Sequence, residues 1–200
     1  MRKAISFIAT LALVLLATAC GSKKGQSASD TASALTVDSL LANPEKYVNE
    51  TVTVEGLCSH LCKSGGRKAF IRSNADSLVL RCEAFPGMNE PFSSESVDRR
   101  LRVTGVFHEE RIDEAYLLEL ERTEQARVDN IKAQGGEEKN GAHKSGCDTE
   151  RAAQGQQKLQ TVAERVADYR ARIAERDSTE GKPYLSFYFI EATGYEILPD

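Results

Sequence analysis

Thr51 to Arg72, TVTVEGLCSHLCKSGGRKAFIR, sets a strand, a Cys/His cluster, a glycine-ended loop and a second strand in one short stretch. From Thr51 to Cys58, Val52, Val54, Gly56 and Cys58 alternate with Thr53, Glu55 and Leu57, the period-two signature of a strand with one buried face. Gly56 inside that pattern marks a bend or bulge, which a tightly curved sheet needs. The rest of the chain must either pack on this unit or tether it.

Further strands follow at short intervals. Lys68–Arg72 and Ser77–Glu83 read as a hairpin joined by Ser73-Asn74-Ala75-Asp76, residues that hydrogen-bond their own backbone in turns. Phe85 to Asp98 is an irregular connection, and Arg100 to His108 alternates Leu101, Val103, Gly105 and Phe107 as a fourth strand. Before them all, Thr36 can cap a short helix through Leu40-Leu41 that Asn43-Pro44 stops, with Tyr47 and Val48 as a second apolar contact.

After His108 the period changes. Ile112, Tyr116, Leu120, Val128 and Ile131 follow helical spacing, with Asp113 and Glu114 at the start; a strand at 115–121 is the rival reading, because Tyr116, Leu118 and Leu120 also alternate. Residues 134–146 form a Gly- and charge-rich loop, and Asp148 can cap a second helix through Leu159, Val162, Val166, Tyr169 and Ile173. An antiparallel helical hairpin is expected. Tyr184 to Glu191, YLSFYFIE, then reads as an aromatic strand on which 193–198 pairs back, and we expect it to complete the sheet. Its aromatic rows read as packing rather than a ligand platform.

The N-terminus is of another kind. Arg2 and Lys3 precede an apolar run, Ala4 to Leu16, that gives way to small residues ending at Cys20. A run of this length is short of the ~20 residues of a membrane-spanning helix and reads as a secretory signal, residues 1–19. Ala17-Thr18-Ala19-Cys20 resembles a bacterial lipobox, in which Cys20 becomes the lipid-modified first residue, although the customary Leu lies one place early and plain Ala-x-Ala cleavage would cut the same bond. Gly21, by resemblance to the known sorting pattern, implies the outer membrane, with the protein facing the periplasm. Residues 20–34 are small and polar, a tether of about 20 Å r.m.s. reach.

Charge separates two further units. Of 26 basic and 30 acidic residues, two basic ones lie in the signal, so the mature chain is acidic, which argues against nucleic acid as a partner. Residues 51–108 carry 8 basic and 6 acidic residues, whereas 109–180 carry 12 and 17. The units are thus 35–108, a helical appendage at 109–182 and the terminal strand at 183–200.

Strand, long turn, hairpin, irregular connector and strand is the order of an OB-fold barrel. Val37 to Phe107, and especially SLLANPEKYVNETVTVEG, resembles the OB-fold domains of small bacterial envelope lipoproteins. The whole chain resembles such lipoproteins of Bacteroides-type bacteria in its Cys62-Lys63-Ser64-Gly65-Gly66 loop and its Tyr184–Tyr195 aromatic strand. The expectation is an α+β chain: an OB-like small barrel, a helical hairpin, and a C-terminal strand that joins the sheet. The resemblance implies a lipid-anchored, non-enzymatic binding module whose partners are the membrane and an envelope protein or glycan.

Site candidates centre on the opening stretch. His60, Lys63, Arg67, Lys68 and Phe70 lie on the side where OB folds bind ligands, and the Gly65-Gly66 turn beside three cations is a candidate anion loop. Cys58, His60 and Cys62, closed by Cys147 or His143, form a candidate Zn²⁺ or copper set, the basis of an alternative metal-binding or thiol-redox function. Against it stands the disulfide reading, which needs no cofactor: four mature cysteines in an oxidising compartment, Cys62 pairing with Cys147, and Cys58 and Cys82 either joining or remaining buried. We find no Ser/His/Asp order, paired-carboxylate motif or phosphate loop, so no catalytic residue is assigned.

Overall fold

The structure, a computed structural model, describes residues 34–63, 65–73, 78–136, 148–156, 159 and 161–199. The proposed signal, Cys20, His143 and Cys147 lie outside the described residues. The elements in chain order are β1 (Leu35–Thr36), α1 (Val37–Ala42), β2 (Thr51–Leu61), β3 (Lys68–Arg72), β4 (Val79–Glu83), β5 (Arg100–Ile112), α2 (Glu114–Ala133), α3 (Asp148–Ala153), α4 (Val162–Glu180) and β6 (Leu185–Ile197).

Alternating side chains curl this sheet into a closed barrel. Its order is β2-β3-β4-β6-β5, and β5 pairs back on β2 from Thr51↔Val106 to Leu57↔Arg100. Neighbours in the barrel run antiparallel except β4 and β6, and β1 adds a short parallel strand on β2. This is an OB-like barrel. Val54, Cys58, Ile71, Leu80, Leu101, Val103 and Phe107 fill it, each removed from water.

Helix α1 contributes Val37 and Leu40 to the same core, both fully buried. Thr36 caps it with the expected geometry: its hydroxyl accepts from the Ser39 N–H at 3.1 Å while the Ser39 hydroxyl accepts from the Thr36 N–H. Gly56 turns out to be a point of close approach. A Cβ there would meet the Arg72 carbonyl at 2.9 Å and the Val37 Cγ2 at 3.1 Å. The bulge of β2 falls instead at Ser59, where the register with β3 shifts.

Helix, not strand, follows β5. Asp113 Oδ1 accepts from the Tyr116 N–H at 2.9 Å and caps α2, so 115–121 is helical and the fifth barrel strand is β6. The helices are therefore an insert between the fourth and fifth barrel strands. Ile112 belongs to the end of β5, and the buried positions of α2 are Leu117 and Val128, with Tyr116 at the surface. The second helix expected from Asp148 is two. Gly155, at φ +74°, ends α3, and Thr161 with Glu164 opens α4 with a fresh capping box. Leu117, Val166, Tyr169 and Ile112 form a second core under the insert.

One strand, β6, runs the whole way from Leu185 to Ile197 rather than folding back at Thr193. All of it pairs with β5, with a bulge that skips Thr193, and Gly105 lies beside that bulge because a Cβ would sit 2.1 Å from the Glu191 carbonyl oxygen. Its aromatic rows pack: Tyr188 stacks on Phe107 at 5.4 Å, and Phe187 meets the Tyr169 edge at 6.1 Å. Among the described residues, no helix is long and apolar enough to cross a membrane.

Candidate functional site

The bulge at Ser59 decides what the Cys/His cluster can do. In a regular strand Cys58 and His60 would share a face. The extra residue breaks that parity: Cys58 pairs with Ile71 and faces the core, whereas His60 pairs with Phe70 on the outer face, ring centroids 5.9 Å apart. Ser59 donates to the Phe70 carbonyl at 3.1 Å. Cys62 closes the strand, its N–H bonded to the Lys68 carbonyl at 2.8 Å. Among the described residues, no three His, Cys, Asp or Glu side chains gather as a metal set, so Cys58, His60 and Cys62 do not converge.

Among the described residues no two of Cys58, Cys62 and Cys82 are joined, and the first and last are buried. Of the two outcomes expected for Cys58 and Cys82, joined or left buried, the sheet order favours the second, since β3 runs between them, Cys58 facing Ile71 and Cys82 facing Ala69. Two strand spacings amount to roughly 9–10 Å, beyond the ~7 Å that a disulfide spans between Cα atoms. Burial pushes both thiols up from their ordinary value, which keeps them protonated and unreactive.

The glycine turn does not gather its cations either. The Gly66 N–H is taken by the Cys62 carbonyl at 3.1 Å, and the Gly66 carbonyl accepts from the Phe92 N–H at 2.9 Å. Lys63 is exposed, and the Arg67 guanidinium lies 5.2 Å from the Phe85 ring centroid. Phe70 is 1% exposed beneath α3, where it lines a cavity.

Lys68 leads to the group that sequence reasoning missed. Its ammonium lies 3.2 Å from a Glu150 carboxylate oxygen and 3.5 Å from one of Glu83. Arg81, two residues before Glu83 on β4, meets Glu150 at 2.6 Å and Glu110 at 3.0 Å, and its guanidinium lies 4.7 Å from the Phe189 ring centroid. Burial alone would raise the Glu150 carboxyl, but the charges of Lys68 and Arg81 outweigh it and hold the group below the ordinary carboxylate value. Burial likewise opposes the Arg81 charge, and Glu110, Glu83 and Glu150 together overcome it. The outward alternation of Arg81 and Glu83 around Leu80 and Cys82 was visible, but a polar outer face is the ordinary state of a strand.

These contacts lay α3 along the outer face of β2, β3 and β4, the face used by OB folds for ligands. Among the described residues, cavities open beneath it. The first, about 510 Å³, is lined by Ser59, His60, Arg72 and Thr149 with Leu78 and Val79. The second, about 250 Å³, shares Val79 and Ala153 with it and adds Leu41, Phe70, Phe187 and Tyr188. The third, about 280 Å³, shares Arg81, Glu150 and Gln154 with the second and reaches Tyr116 and Arg165. They form a trench that is polar at both ends and apolar in the middle. No family model matches the chain, and no curated protein or solved structure matches it.

Proposed function

We propose that the chain is a lipid-anchored, non-enzymatic binding module of the bacterial cell envelope that holds an envelope protein or glycan on the outer face of its barrel. The observation that carries this reading is the 510 Å³ cavity at Ser59, His60, Arg72 and Thr149. It joins a guanidinium, an imidazole and two hydroxyls to an apolar wall, the mixture that small concave binding sites use. Its wall includes His60 and Arg72, the two ends of the stretch that the resemblance marks as the binding side.

The anchor in this reading is the lipidated Cys20, released from the 1–19 signal and followed by the 20–34 tether, with the barrel held at the outer membrane and facing the periplasm. The kinship is with the small OB-fold lipoproteins of Bacteroides-type bacteria. A Cys62–Cys147 bridge belongs to the same reading. It is supported by Lys68, whose carbonyl holds the Cys62 N–H and whose ammonium holds Glu150, three places after Cys147 in sequence.

Thermal-shift screening against envelope glycan fragments and envelope-derived peptides tests the module. A compound that raises the Tm of the wild-type chain and not of His60→Ala supports it. A chain that no fragment shifts, and whose His60→Ala and Lys63→Ala variants behave as wild type in the cell, is a spacer.

A further inference from the structure

Helix α3 sits where a ligand of the barrel would sit, yet little apolar surface holds it there. Its one buried residue is Arg151, which turns back into the insert, donating to the Leu159 carbonyl at 3.0 Å and pairing with Asp148. Ala152 is exposed, as is Ala153 over Val79. Its hold on the barrel is the Glu150 carboxylate, shared between Lys68 and Arg81. Elements with few buried apolar contacts and a polar clamp lie at the low end of local stability.

We propose that α3 is a displaceable occupant of the barrel's outer face, and that the ligand it stands in for is an acidic peptide segment whose carboxylate docks on Lys68 and Arg81. The inference rests on the binding-module reading and names its ligand class and its control. Three observations argue for a peptide. The present occupant is one: a carboxylate at Glu150 followed by two small side chains, Ala152 and Ala153. The cavity that continues from the carboxylate carries Val79, Phe70, Leu41 and Phe187 beside Gln154, Ser186 and a single cation, Arg81, which suits small apolar side chains next to one carboxylate and not a polyanion. The charge around the carboxylate is nearly balanced: Lys68 and Arg81 face Glu83 and Glu110 as well as Glu150, with Tyr116 and Arg165 on the far wall. One added carboxylate is attracted there, as the lowered Glu150 carboxyl indicates, whereas a densely charged strand meets two carboxylates already in place.

An occupant carried on the same chain competes at a high effective concentration, so an external segment binds with its affinity reduced by the closed fraction. The test uses the full chain and a labelled synthetic peptide of residues 148–156, followed by fluorescence anisotropy at low salt. The peptide is expected to bind the Glu150→Ala chain at least about tenfold more tightly than the wild type. The same peptide with Gln at the Glu150 place is expected to lose about tenfold. Equal affinity for the two chains, or equal affinity of the two peptides, overturns the proposal.

Should Glu150→Ala fail to fold, hydrogen exchange on the wild type decides. Saturating peptide is expected to speed exchange of the Glu150–Ala153 amides and slow that of Lys68–Arg72, and unchanged exchange overturns the proposal. An oligonucleotide or a polyuronate that displaces α3 where the peptide does not overturns it too. If an envelope fragment still shifts the Tm through His60 while the peptide leaves α3 in place, displacement fails and the module stands.

Discussion

The Arg81 guanidinium and the Glu150 carboxylate meet at 2.6 Å, although the sequence separates them by sixty-nine residues and a helix. Their side chains are 13% and 15% exposed, so the pair lies between a solvent-screened surface bridge and a fully buried one. Replacing Glu150 by Gln is expected to cost about 1–2 kcal/mol, more than a surface pair and less than a fully buried one. Chemical denaturation of the two proteins checks it, and equal midpoints would show that the clamp contributes nothing.

The same carboxylate gives a pH dependence of definite sign. Its folded-state value is below the ordinary 4.5, so the unfolded chain binds the proton more readily. The clamp is therefore fully present above the unfolded value and is lost as pH falls through the lower folded value. Protection of the α3 amides, taken relative to the intrinsic exchange rate at each pH, is expected to fall below about pH 4.5, and in Glu150→Gln that fall should vanish. If both proteins show the same acid response, other carboxylates govern it.

Two glycines on neighbouring strands form a matched pair of tests. A Cβ on Gly105 would stand 2.1 Å from the Glu191 carbonyl oxygen, whereas one on Gly194 would meet nothing within 4 Å. Gly105→Ala is expected to lower the Tm by about 4–12 °C, from a cost on the order of 2–3 kcal/mol of forced backbone shift. Gly194→Ala should stay within about 2 °C. Equal shifts would place the β5–β6 seam elsewhere.

Thiol reactivity should divide the cysteines by burial. After reduction, Cys62 is expected to react with a maleimide in the native state, while Cys58 and Cys82 react only at the rate of unfolding. Without reduction, peptide mapping is expected to recover Cys62 linked to Cys147, and a Cys58–Cys82 peptide would contradict the strand order.

Membrane attachment through Cys20 is tested by Cys20→Ser, which is expected to move the protein from the membrane fraction to the soluble one. A variant that still sediments with membranes would refute the lipid anchor.

Much of the barrel was legible because alternation is a local signal. Val52, Val54, Leu101, Val103 and Phe107 each declare their face within a few residues, and the Thr36 cap lies three positions from its partner Ser39. The site was less legible. A bulge adds one residue without any residue type that announces it, so the parity of His60 relative to Cys58 was hidden, and the density of Cys and His within five residues suggested a metal set although their spacing fits no common zinc motif. The break between α3 and α4 was in fact signalled, by Gly155 and by the Thr161–Glu164 box, but the apolar spacing from Leu159 onward masked it. What no local pattern could reveal is that Glu150 lands on Lys68 and Arg81, since both partners look like ordinary solvated charges within their own elements.

The strand that closes the barrel follows the β5 edge it must find only after an insert of about seventy residues. As the chain emerges N-terminus first, β2 to β5 can pair, but β4 and β5 remain open edges until β6 arrives. Closure thus waits for β6 and for the long insert before it, a slow step. A chain stopped at Glu180 is expected to show no cooperative thermal transition, and a cooperative one would mean that four strands suffice. In the full chain, any partner with a free strand of its own has that interval in which to pair with either edge.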